Sequence, residues 1–587
     1  MEQKRAASWH TDYLSYEELS CVLEQWQRDY PDLIELRSLT TTAGGREVWM
    51  LVVGRDRHSP RPAVWVDGGM HATELAGTNV AMILVESLLA LHQGESVPAL
   101  ALPEHTRDTL RDTLFYVVPR VSPDGAEQAI TTGGFVRSHH SDTRTSDSRP
   151  HWVASDIDGD GKSLMMRRLD PAGDFVESPE VKNLMVPRQL EDAGPTYRLY
   201  PEGIIENFDG FHIPSAPLLS TGDVDFNRNF PSGWAPNSVQ LGSGPLPLSE
   251  PETRAIAEFI ASTPHIFAVL NLHTFGGVVI RPPMHGPDTC LAPKDLALYR
   301  QLEDWALTLT GYPTVSGFEG FSPQPGKPVH GSFLEFTWSH GCLSYVTELW
   351  DIFAELGMES PERFVDLYAQ LSRAQLTALG RWDAELNEGR AVAPWVAHEH
   401  PQLGRVEVGG VNPMVGIWNP PPERLHQIGL EQVALLSRVA CMAPKLVIRE
   451  MSVTPLSADV THFRIQVANT GYLSTHFTEQ RRKARPNLQL EVSLEPLGAQ
   501  IHTPSIQRFC IDDLDGWGRG LYGECSALYE QASRGGTHQH VIDVIASGHG
   551  TIIVRIGNPQ IGFVQTQLEL PNPNHPITLH QKEPTHA

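Results

Sequence analysis

The sequence predicts an α/β protein with a mixed central sheet flanked by helices, followed by a C-terminal antiparallel β-sandwich. Short apolar runs alternate with helical patterns through the first two thirds of the chain, which is typical of an α/β domain. Several of these runs have no polar alternation, as expected of strands buried on both faces. Beyond about residue 446, apolar and polar residues alternate at short spacing, and this pattern favours an antiparallel sandwich.

The elements of the first part follow one another in a regular order. A helix and a turn are expected within 15–37, and a long helix over 75–92 follows the turn at 67–74. Further helical patterns cover 250–262, 292–310 and 360–387. Strands are expected at 33–36, 47–53, 62–66, 114–118, 268–272 and 343–349.

Changes in composition divide the chain into three parts. Residues 1–388 are expected to form the α/β domain, in which 131–222, rich in Ser, Asp, Arg, Pro and Gly, form a long loop insertion. Residues 389–445 are expected to be a connecting segment. Residues 446–587 are expected to form the sandwich, with a loose tail from about 571.

Composition and charge exclude several classes of protein. The 587 residues carry 45 basic and 70 acidic side chains, a formal net charge of −25. Such a surface repels nucleic-acid phosphate and anionic lipid, so neither nucleic acid nor a membrane is expected as a partner. No apolar run reaches about 18 residues, and no apolar segment follows the basic N-terminus, so a cytoplasmic protein is expected. The oligomeric state is left open.

Histidine and carboxylate side chains at strand ends predict a metal site. The spacing H-x-x-E occurs four times, but only His71 and Glu74 follow a buried strand through a Gly-Gly turn and precede a capped helix. Imidazole and carboxylate are both zinc ligands, and ligands bind at strand ends in α/β sheets. His273, at the end of another buried strand, supplies a third ligand. Glu348 ends a further apolar strand, and burial would raise the pKa of its carboxyl group toward that of a useful general base.

Six segments, in this order, resemble the M14 family of zinc carboxypeptidases, which have the carboxypeptidase A-like fold. They are GGMHATE (68–74), VPRVSPDG (118–125), DVDFNRNFPSG (223–233), PLSEPET (247–253), NLHTFGG (271–277) and SYVTELWD (344–351). The resemblance covers most of 10–385. It implies one Zn²⁺ per chain, bound by His71, Glu74 and His273, with Glu348 as general base.

The resemblance also implies how the substrate, a peptide with a free C-terminal carboxylate, is bound. Arg228 would bind that carboxylate, with Asn227 beside it. Asp225 would orient a zinc-binding histidine. Arg167 aligns with the arginine that stabilises the oxyanion. The expected activity is removal of C-terminal residues from peptides by a zinc-activated water.

Two features of the sequence depart from the family. The family's substrate-binding tyrosine usually lies shortly before the general base, but residues 322–332 contain no tyrosine, and Lys327 and His330 are the polar alternatives there. The floor of the side-chain pocket falls near 333–334, which favours an apolar substrate residue.

An acidic stretch inside the insertion resembles the start of a calcium loop. Asp156, Asp158 and Asp160 occupy its first, third and fifth positions, but Arg167 stands where an EF-hand needs a glutamate. A simple Asp/Gly turn is the preferred interpretation. The alternative is a Ca²⁺ ion that orders the loop presenting Arg167.

Two other functions use the same residues or the same fold. An amidase or carboxypeptidase acting on peptidoglycan stem peptides or γ-glutamyl side chains would need the same metal site and base. A catalytically silent peptide-binding protein would keep only the fold. Because all three ligands and the base are present, the sequence favours the enzyme.

Overall fold

A computed structural model describes residues 8–100, 102–138, 149–216, 219, 223–359, 361–369, 371–521, 533 and 535–570. The tail from about 571, which the sequence predicts to be loose, lies outside these residues. Three parts of the predicted insertion, 139–148, 217–218 and 220–222, also lie outside them.

Helices and strands alternate through the described part of the chain. The helices are α1 (Tyr16–Asp29), α2 (Ala76–Gln93), α3 (Glu104–Asp112), α4 (Pro123–Thr132), α5 (Pro251–Ser262), α6 (Pro293–Thr310), α7 (Phe333–Ser339), α8 (Ile352–Glu355), α9 (Arg373–Leu386), α10 (Pro422–Ala440) and α11 (Glu479–Ala484). The strands up to the end of the first α/β unit are β1 (Ile34–Thr41), β2 (Glu47–Val53), β3 (Ala63–Gly68), β4 (Leu114–Val118), β5 (His151–Ala154), β6 (Met165–Leu169), β7 (Phe175–Glu177), β8 (Met185–Pro187), β9 (Tyr197–Pro201), β10 (Gly203–Glu206), β11 (Ile266–Thr274), β12 (Val278–Arg281), β13 (Thr314–Ser316) and β14 (Leu343–Leu349). The remaining strands are β15 (Val392–His400), β16 (Gly404–Val411), β17 (Leu446–Pro455), β18 (Val460–Asn469), β19 (Leu490–Thr503), β20 (Arg508–Ile511), β21 (Gln539–Asn558) and β22 (Gly562–Glu569).

The central sheet is mixed, as the sequence predicts. Within the described residues its order is β1-β2-β4-β3-β11-β14-β12-β13. The four inner strands β4, β3, β11 and β14 run parallel to one another. The strands β2 and β12 pair antiparallel with β4 and β14.

Both faces of this sheet are buried, and β3 shows why its sequence lacks polar alternation. Val64 and Val66 point into a core shared with α2, α6 and α10, whereas Ala63 and Trp65 point into the opposite core with α5 and α7. All six residues of β3 are buried. The first four positions of the strand are accordingly all apolar, and the buried carboxylate of Asp67 is hydrogen-bonded to Trp65 and Asn271.

The insertion and the predicted connecting segment are more structured than the sequence indicates. Strands of both segments pair into a second sheet with the order β15-β16-β6-β9-β7-β8. Residues 389–445 also contain α10, whose buried face includes Leu425, Val433, Leu435 and Leu436. This segment is thus an integral part of the α/β unit and not a linker.

The C-terminal residues pair antiparallel, as predicted, but their pairing does not divide them into the two separate sheets of the expected sandwich. Described strands follow the order β17-β18-β21-β19-β20, and β22 pairs with β21. The long strand β21 pairs with β18 through its first half and with β22 through its second half. No helix in the described part of the chain is both long and apolar enough to cross a membrane.

Candidate metal centre and active site

The predicted ligands and the predicted base lie at one edge of the central sheet. The strand β3 ends at Gly68 and leads into α2 through the turn that carries His71 and Glu74. His273 lies near the end of β11, and Glu348 lies near the end of β14, directly beside it in the strand register. Because these strands are parallel, their carboxyl ends meet at the same edge, which is the usual ligand-binding edge of an α/β sheet.

The structure brings His71, Glu74 and His273 into contact. The Nδ1 atom of His71 lies 2.7 Å from Oε1 of Glu74, and Nδ1 of His273 lies 2.9 Å from Oε2 of the same carboxylate. The two Nδ1 atoms are 3.0 Å apart. The three side chains are almost completely buried, with exposures of 4, 9 and 1% for the whole residues.

The other nitrogen of each imidazole ring is held by a hydrogen-bond acceptor. His71 Nε2 lies 3.2 Å from Oδ1 of Asp225, and His273 Nε2 lies 2.5 Å from Oδ1 of Asn271. The Asn271 amide is oriented by Asp67, because its Nδ2 donates to the Asp67 carboxylate at 2.5 Å. With the proton of each ring on Nε2, both Nδ1 atoms would offer a lone pair to a cation.

This arrangement fits a divalent metal ion. Two imidazole rings and a carboxylate lie with their ligand atoms within 4.8 Å of one another, which is close enough for one cation to bind all three. Two histidines and one glutamate form a catalytic zinc donor set that leaves a position for water. Burial alone would raise the pKa of Glu74, but the neighbouring His71 and His273 lower it well below its usual value.

Glu348 is held in an environment that favours its protonated form. Burial is the main cause that raises the pKa of this carboxyl group well above its usual value, and the negative charge of Glu74 adds to it. The guanidinium groups of Arg137 and Arg228 act in the opposite direction. A carboxylate with a raised pKa can accept a proton and return it during one reaction cycle.

The arginine that contacts the candidate metal ligands is Arg137. It lies in the long loop, and the sequence assigns no role to it. Its Nε donates to Oδ2 of Asp225 at 3.0 Å, and its Nη1 donates to Oε1 of Glu74 at 3.4 Å. Its backbone carbonyl accepts a hydrogen bond from the amide of Ala72 in the ligand turn at 2.7 Å. In the sequence, the only indication of this contact is that Arg137 lies shortly after the segment VPRVSPDG (118–125).

Arg167, by contrast, is not brought to the cluster, so its expected role as the oxyanion-stabilising arginine is not supported. It lies in β6, and its guanidinium donates to Glu407 at 2.6 Å and to Glu177 at 3.1 Å. The rings of Tyr197 and Trp395 cover it at 4.7 and 4.8 Å. Those partners lie on the second sheet, and the contacts of Arg167 therefore stabilise that sheet.

Asn227 and Arg228 lie beside the cluster in a short 3₁₀ turn, Phe226–Arg228. Asp225 begins this turn by accepting a hydrogen bond from the Asn227 amide at 2.8 Å. The Asn227 side chain accepts a hydrogen bond from the amide of Phe333 at 2.8 Å. Arg228 Nη1 donates to the Asn227 carbonyl at 2.8 Å, and no carboxylate among the described residues lies within ion-pair distance of its guanidinium. Arg228 is therefore available to an anionic ligand.

A tyrosine that the sequence analysis missed lies next to the base. Tyr368 donates its hydroxyl hydrogen bond to the carbonyl of Phe275, and its oxygen fills the space where a side chain at Gly276 would be. Burial and the charge of Glu348 raise the pKa of its phenol. His330, one of the two polar alternatives for the tyrosine that residues 322–332 lack, contacts the carbonyl of Gly233 at 2.7 Å instead.

The acidic stretch of the insertion forms a self-contained loop, and a calcium site there is not supported. Asp156 accepts hydrogen bonds from the amides of Gly159 and Gly161, and Asp158 accepts one from Asp160. Ligand atoms of Asp156 and Asp158 approach that of Glu202, but Glu202 accepts two backbone amide hydrogen bonds. Backbone donors thus account for these carboxylates without a cation.

Comparison with known proteins agrees with the geometry. Carboxypeptidase A6 of Homo sapiens is 29% identical over 277 residues, which are 46% of this chain and 45% of that protein. Carboxypeptidase B of Astacus astacus is 28% identical over 133 residues, which are 23% of this chain and 40% of that protein. The chain thus spans less than half the length of each of these two relatives. The carboxypeptidase A structure from Helicoverpa armigera is 14% identical, with a TM-score of 0.42, over 74% of this chain and 76% of that one.

Two family assignments divide the sequence. Residues 445–569 match a domain of unknown function, and this match covers the C-terminal antiparallel sheet. Residues 20–353 match the zinc carboxypeptidases of family Peptidase M14, and they contain β3, β11 and β14 with all three candidate ligands and Glu348. This match covers more than half of the chain, which therefore belongs to the M14 zinc carboxypeptidase family.

Proposed function

We propose that this protein is a zinc metallocarboxypeptidase that hydrolyses the C-terminal peptide bond of peptides with a free carboxylate end. One observation carries the proposal: two imidazole rings and a carboxylate converge beside the half-buried Glu348, and an arginine without an ion-pair partner among the described residues lies next to them. The names of the relatives, all carboxypeptidases, support the same activity.

Arg228 is the proposed anchor for the end of the substrate. Its planar guanidinium can bind a carboxylate through two parallel hydrogen bonds, which selects a chain end over an internal peptide bond. Burial lowers the pKa of Arg228 from its usual value, although the charges of Asp225 and Glu348 oppose this effect. A substrate carboxylate would compensate the cost of burying this cation.

His71, Glu74 and His273 would hold the zinc ion. When bound, zinc supplies a Lewis acid that lowers the pKa of water and polarises the substrate carbonyl. Glu348 accepts the proton of the attacking water on its carboxylate. It then delivers that proton to the amine of the departing C-terminal residue, which its raised pKa favours.

Arg137 is the proposed donor to the oxyanion. Its Nε and Nη1 hydrogens contact Asp225 and Glu74, which leaves other N–H groups of the same guanidinium for the substrate. A fixed cation at this position stabilises the negative charge that develops on the carbonyl oxygen.

The test combines metal analysis with a pair of matched peptides. The purified protein is expected to bind one zinc ion per chain and to release the last residue of a peptide with a free carboxylate, while the C-terminally amidated form of that peptide is cleaved far more slowly. Glu348→Gln should abolish turnover with zinc still bound. Arg228→Ala should raise KM for the free acid and reduce the preference over the amide.

Arg464→Ala is the matched control, because Arg464 is an exposed arginine on the C-terminal sheet that pairs with Asp543. Unchanged hydrolysis by Glu348→Gln would refute the mechanism, and unchanged preference in Arg228→Ala would refute the anchor. D-linked and γ-linked peptide ends belong in the same assay. Cleavage of these ends alone would assign the protein to peptidoglycan or γ-glutamyl substrates, and binding without cleavage would identify a silent module.

A further inference from the structure

The helix that follows Glu74 lacks a cap of its own. Leu75 precedes α2, and its side chain makes no capping hydrogen bond. The first amides of a helix have no partner within the helix, so buried ones need an acceptor from elsewhere. The sequence predicts a capped helix here, and in the structure the cap comes from a distant part of the chain.

Asn419 supplies this cap. Its Oδ1 accepts hydrogen bonds from the amides of Leu75 at 2.7 Å and Ala76 at 3.1 Å. Its Nδ2 donates to the carbonyls of Thr73 at 2.8 Å and Met414 at 3.0 Å. The residue is completely buried. The four hydrogen bonds use the whole capacity of the amide. Two of them go to the peptide groups that flank Glu74, and a third goes to the next amide, that of Ala76.

The opposite side of the ligand turn is held by the segment that carries Arg137. The amides of Ala72 and Thr73 donate to the carbonyls of Arg137 at 2.7 Å and Val136 at 3.1 Å. The turn is therefore held between two segments. On one side the contacts are made by backbone carbonyls, and on the side next to Glu74 they are made by the side chain of Asn419.

Asn419 belongs to residues 412–421, between β16 and α10, and outside the 20–353 region that matches the family. This segment is itself fixed to the α/β unit. Tyr13 donates to the carbonyl of Pro420 at 2.5 Å, and the indole of Trp350, two residues after Glu348, donates to the carbonyl of Gly416 at 3.1 Å. The Trp418 ring packs on Phe135 at 4.7 Å.

We propose that Asn419 is a positioning residue for the metal ligand Glu74, so that a segment beyond the matched family region completes the metal centre. The inference rests on the proposed zinc site. Without the amide, the buried Ala76 N–H loses the Asn419 acceptor, and the peptide groups on both sides of Glu74 keep only the hydrogen bond from the Leu75 amide to the Thr73 carbonyl at 3.1 Å. The turn must then rearrange to satisfy these groups. The carboxylate then no longer arrives oriented toward the two imidazoles, and metal affinity falls.

Asn469 provides a matched control on the C-terminal sheet. This buried asparagine also accepts two backbone hydrogen bonds, from Lys445 and Gly471 at 3.0 Å each, and donates two, to Leu473 and Leu514. Asn469→Ala therefore removes a comparable buried hydrogen-bond set without touching the metal site. A purely structural role for Asn419 predicts the same behaviour for both variants.

The experiment measures zinc affinity by chelator competition on the folded apoprotein, together with its thermal unfolding. Asn419→Ala should bind zinc about 10- to 100-fold more weakly than the wild type, whereas Asn469→Ala should keep the wild-type affinity although its unfolding temperature falls. Asn419→Asp, which keeps the acceptor and loses both donated bonds, should fall between Asn419→Ala and the wild type, and it serves if the alanine variant does not fold.

The outcomes separate the two proposals. Equal zinc affinity in the Asn419 variants and Asn469→Ala would overturn the positioning role and leave the proposed function intact. A wild-type protein that binds no zinc would overturn the proposed function itself.

Discussion

Two arginines, Arg137 and Arg167, have opposite environments although both lie in or beside the long insertion. Arg137 contacts Asp225 and Glu74 at the metal cluster, and burial, which would lower its pKa, is outweighed by these two carboxylates. Arg167 forms ion pairs on the second sheet with Glu177 and Glu407. The resemblance in sequence points to Arg167. Which arginine lies at the site depends on how the long loop folds, and the sequence pattern does not reveal this.

Substitution of each arginine should separate catalysis from stability. Arg137→Ala is expected to lower kcat by about 10²–10³-fold, the usual effect of removing one oxyanion donor, with zinc still bound. Arg167→Met should leave kcat unchanged and lower the free energy of unfolding, because Glu407 loses its buried partner. Steady-state kinetics and urea unfolding of both variants measure these effects. Loss of kcat in Arg167→Met with full activity in Arg137→Ala would reverse the assignment.

At the residue scale, local motifs predict the candidate ligands and the candidate base, but they miss the residues that contact them. His71, Glu74, His273 and Glu348 stand out because each lies near the end of a buried strand or in the turn after one, a pattern that apolar runs encode in the sequence. Their roles as ligands and base stay predictions. Arg137, Tyr368 and Asn419 reach the site through contacts between distant segments, and no spacing within the chain encodes such contacts.

The approach of α2 to the central sheet is the element-scale feature that sets the ligand turn. A Cβ atom on Gly68, at the end of β3, would lie 2.5 Å from the carbonyl carbon of Gly77 in α2. A Cβ on Gly77 would in turn lie 3.0 Å from the carbonyl oxygen of Leu272 in β11. The helix therefore begins in backbone contact with two strands, and the turn between Gly68 and Gly77 carries His71 and Glu74.

Gly68→Ala should consequently push α2 away from β3. The expected cost is about 1–3 kcal/mol in the free energy of unfolding, as for overpacking of a core, and zinc should bind more weakly because His71 and Glu74 move with the turn. Urea unfolding and chelator competition measure the two effects. Gly536→Ala is the control, since only the end of the Gln539 side chain, at 3.8 Å, lies near its new Cβ. Wild-type zinc affinity in a folded Gly68→Ala would contradict this account.

The elements that the sequence predicts well are those buried on both faces or strongly periodic. The expected strands 114–118 and 343–349 match β4 and β14, and the helical patterns 250–262 and 292–310 match α5 and α6 within one residue. The strands of the second sheet are missed because they have only three to five residues in β6, β7, β8 and β9. Their partners β15 and β16 lie far from them in the sequence, so no local pattern predicts the sheet.

At the scale of the whole molecule, Arg481 is one of the residues that attach the C-terminal part of the chain to the α/β unit. This residue is 2% exposed, and its Nη1 donates to the carbonyl of His340 at 2.6 Å. Its Nη2 donates to the carbonyl of Pro264, and its Nε donates to Gln560 at 2.9 Å. Asp295 adds a second contact by accepting hydrogen bonds from the first amides of α11.

The carbonyls that Arg481 binds immediately precede the strands of the active site. Pro264 lies just before β11, which carries His273, and His340 lies just before β14, which carries Glu348. These strands have nine and seven residues, which at about 3.3 Å per residue separate Arg481 from the site by about 20–30 Å. The C-terminal part of the chain therefore contacts the amino ends of the strands whose carboxyl ends carry the proposed ligand and the proposed base.

Arg481→Met should lower stability without changing the chemistry. The methionine fills part of the volume but leaves two buried carbonyls and the Gln560 oxygen without this donor, at about 1–3 kcal/mol for each unpaired group. Urea unfolding should therefore shift to lower concentration, while kcat and zinc content of the folded variant stay at wild-type values. Arg485→Met is the control, because Arg485 at the end of the same helix donates one hydrogen bond, to Ala261, and its loss should be nearly neutral. Unchanged unfolding in Arg481→Met would contradict the stabilising role of Arg481. Lost kcat at wild-type stability would show that the C-terminal sheet acts on the site.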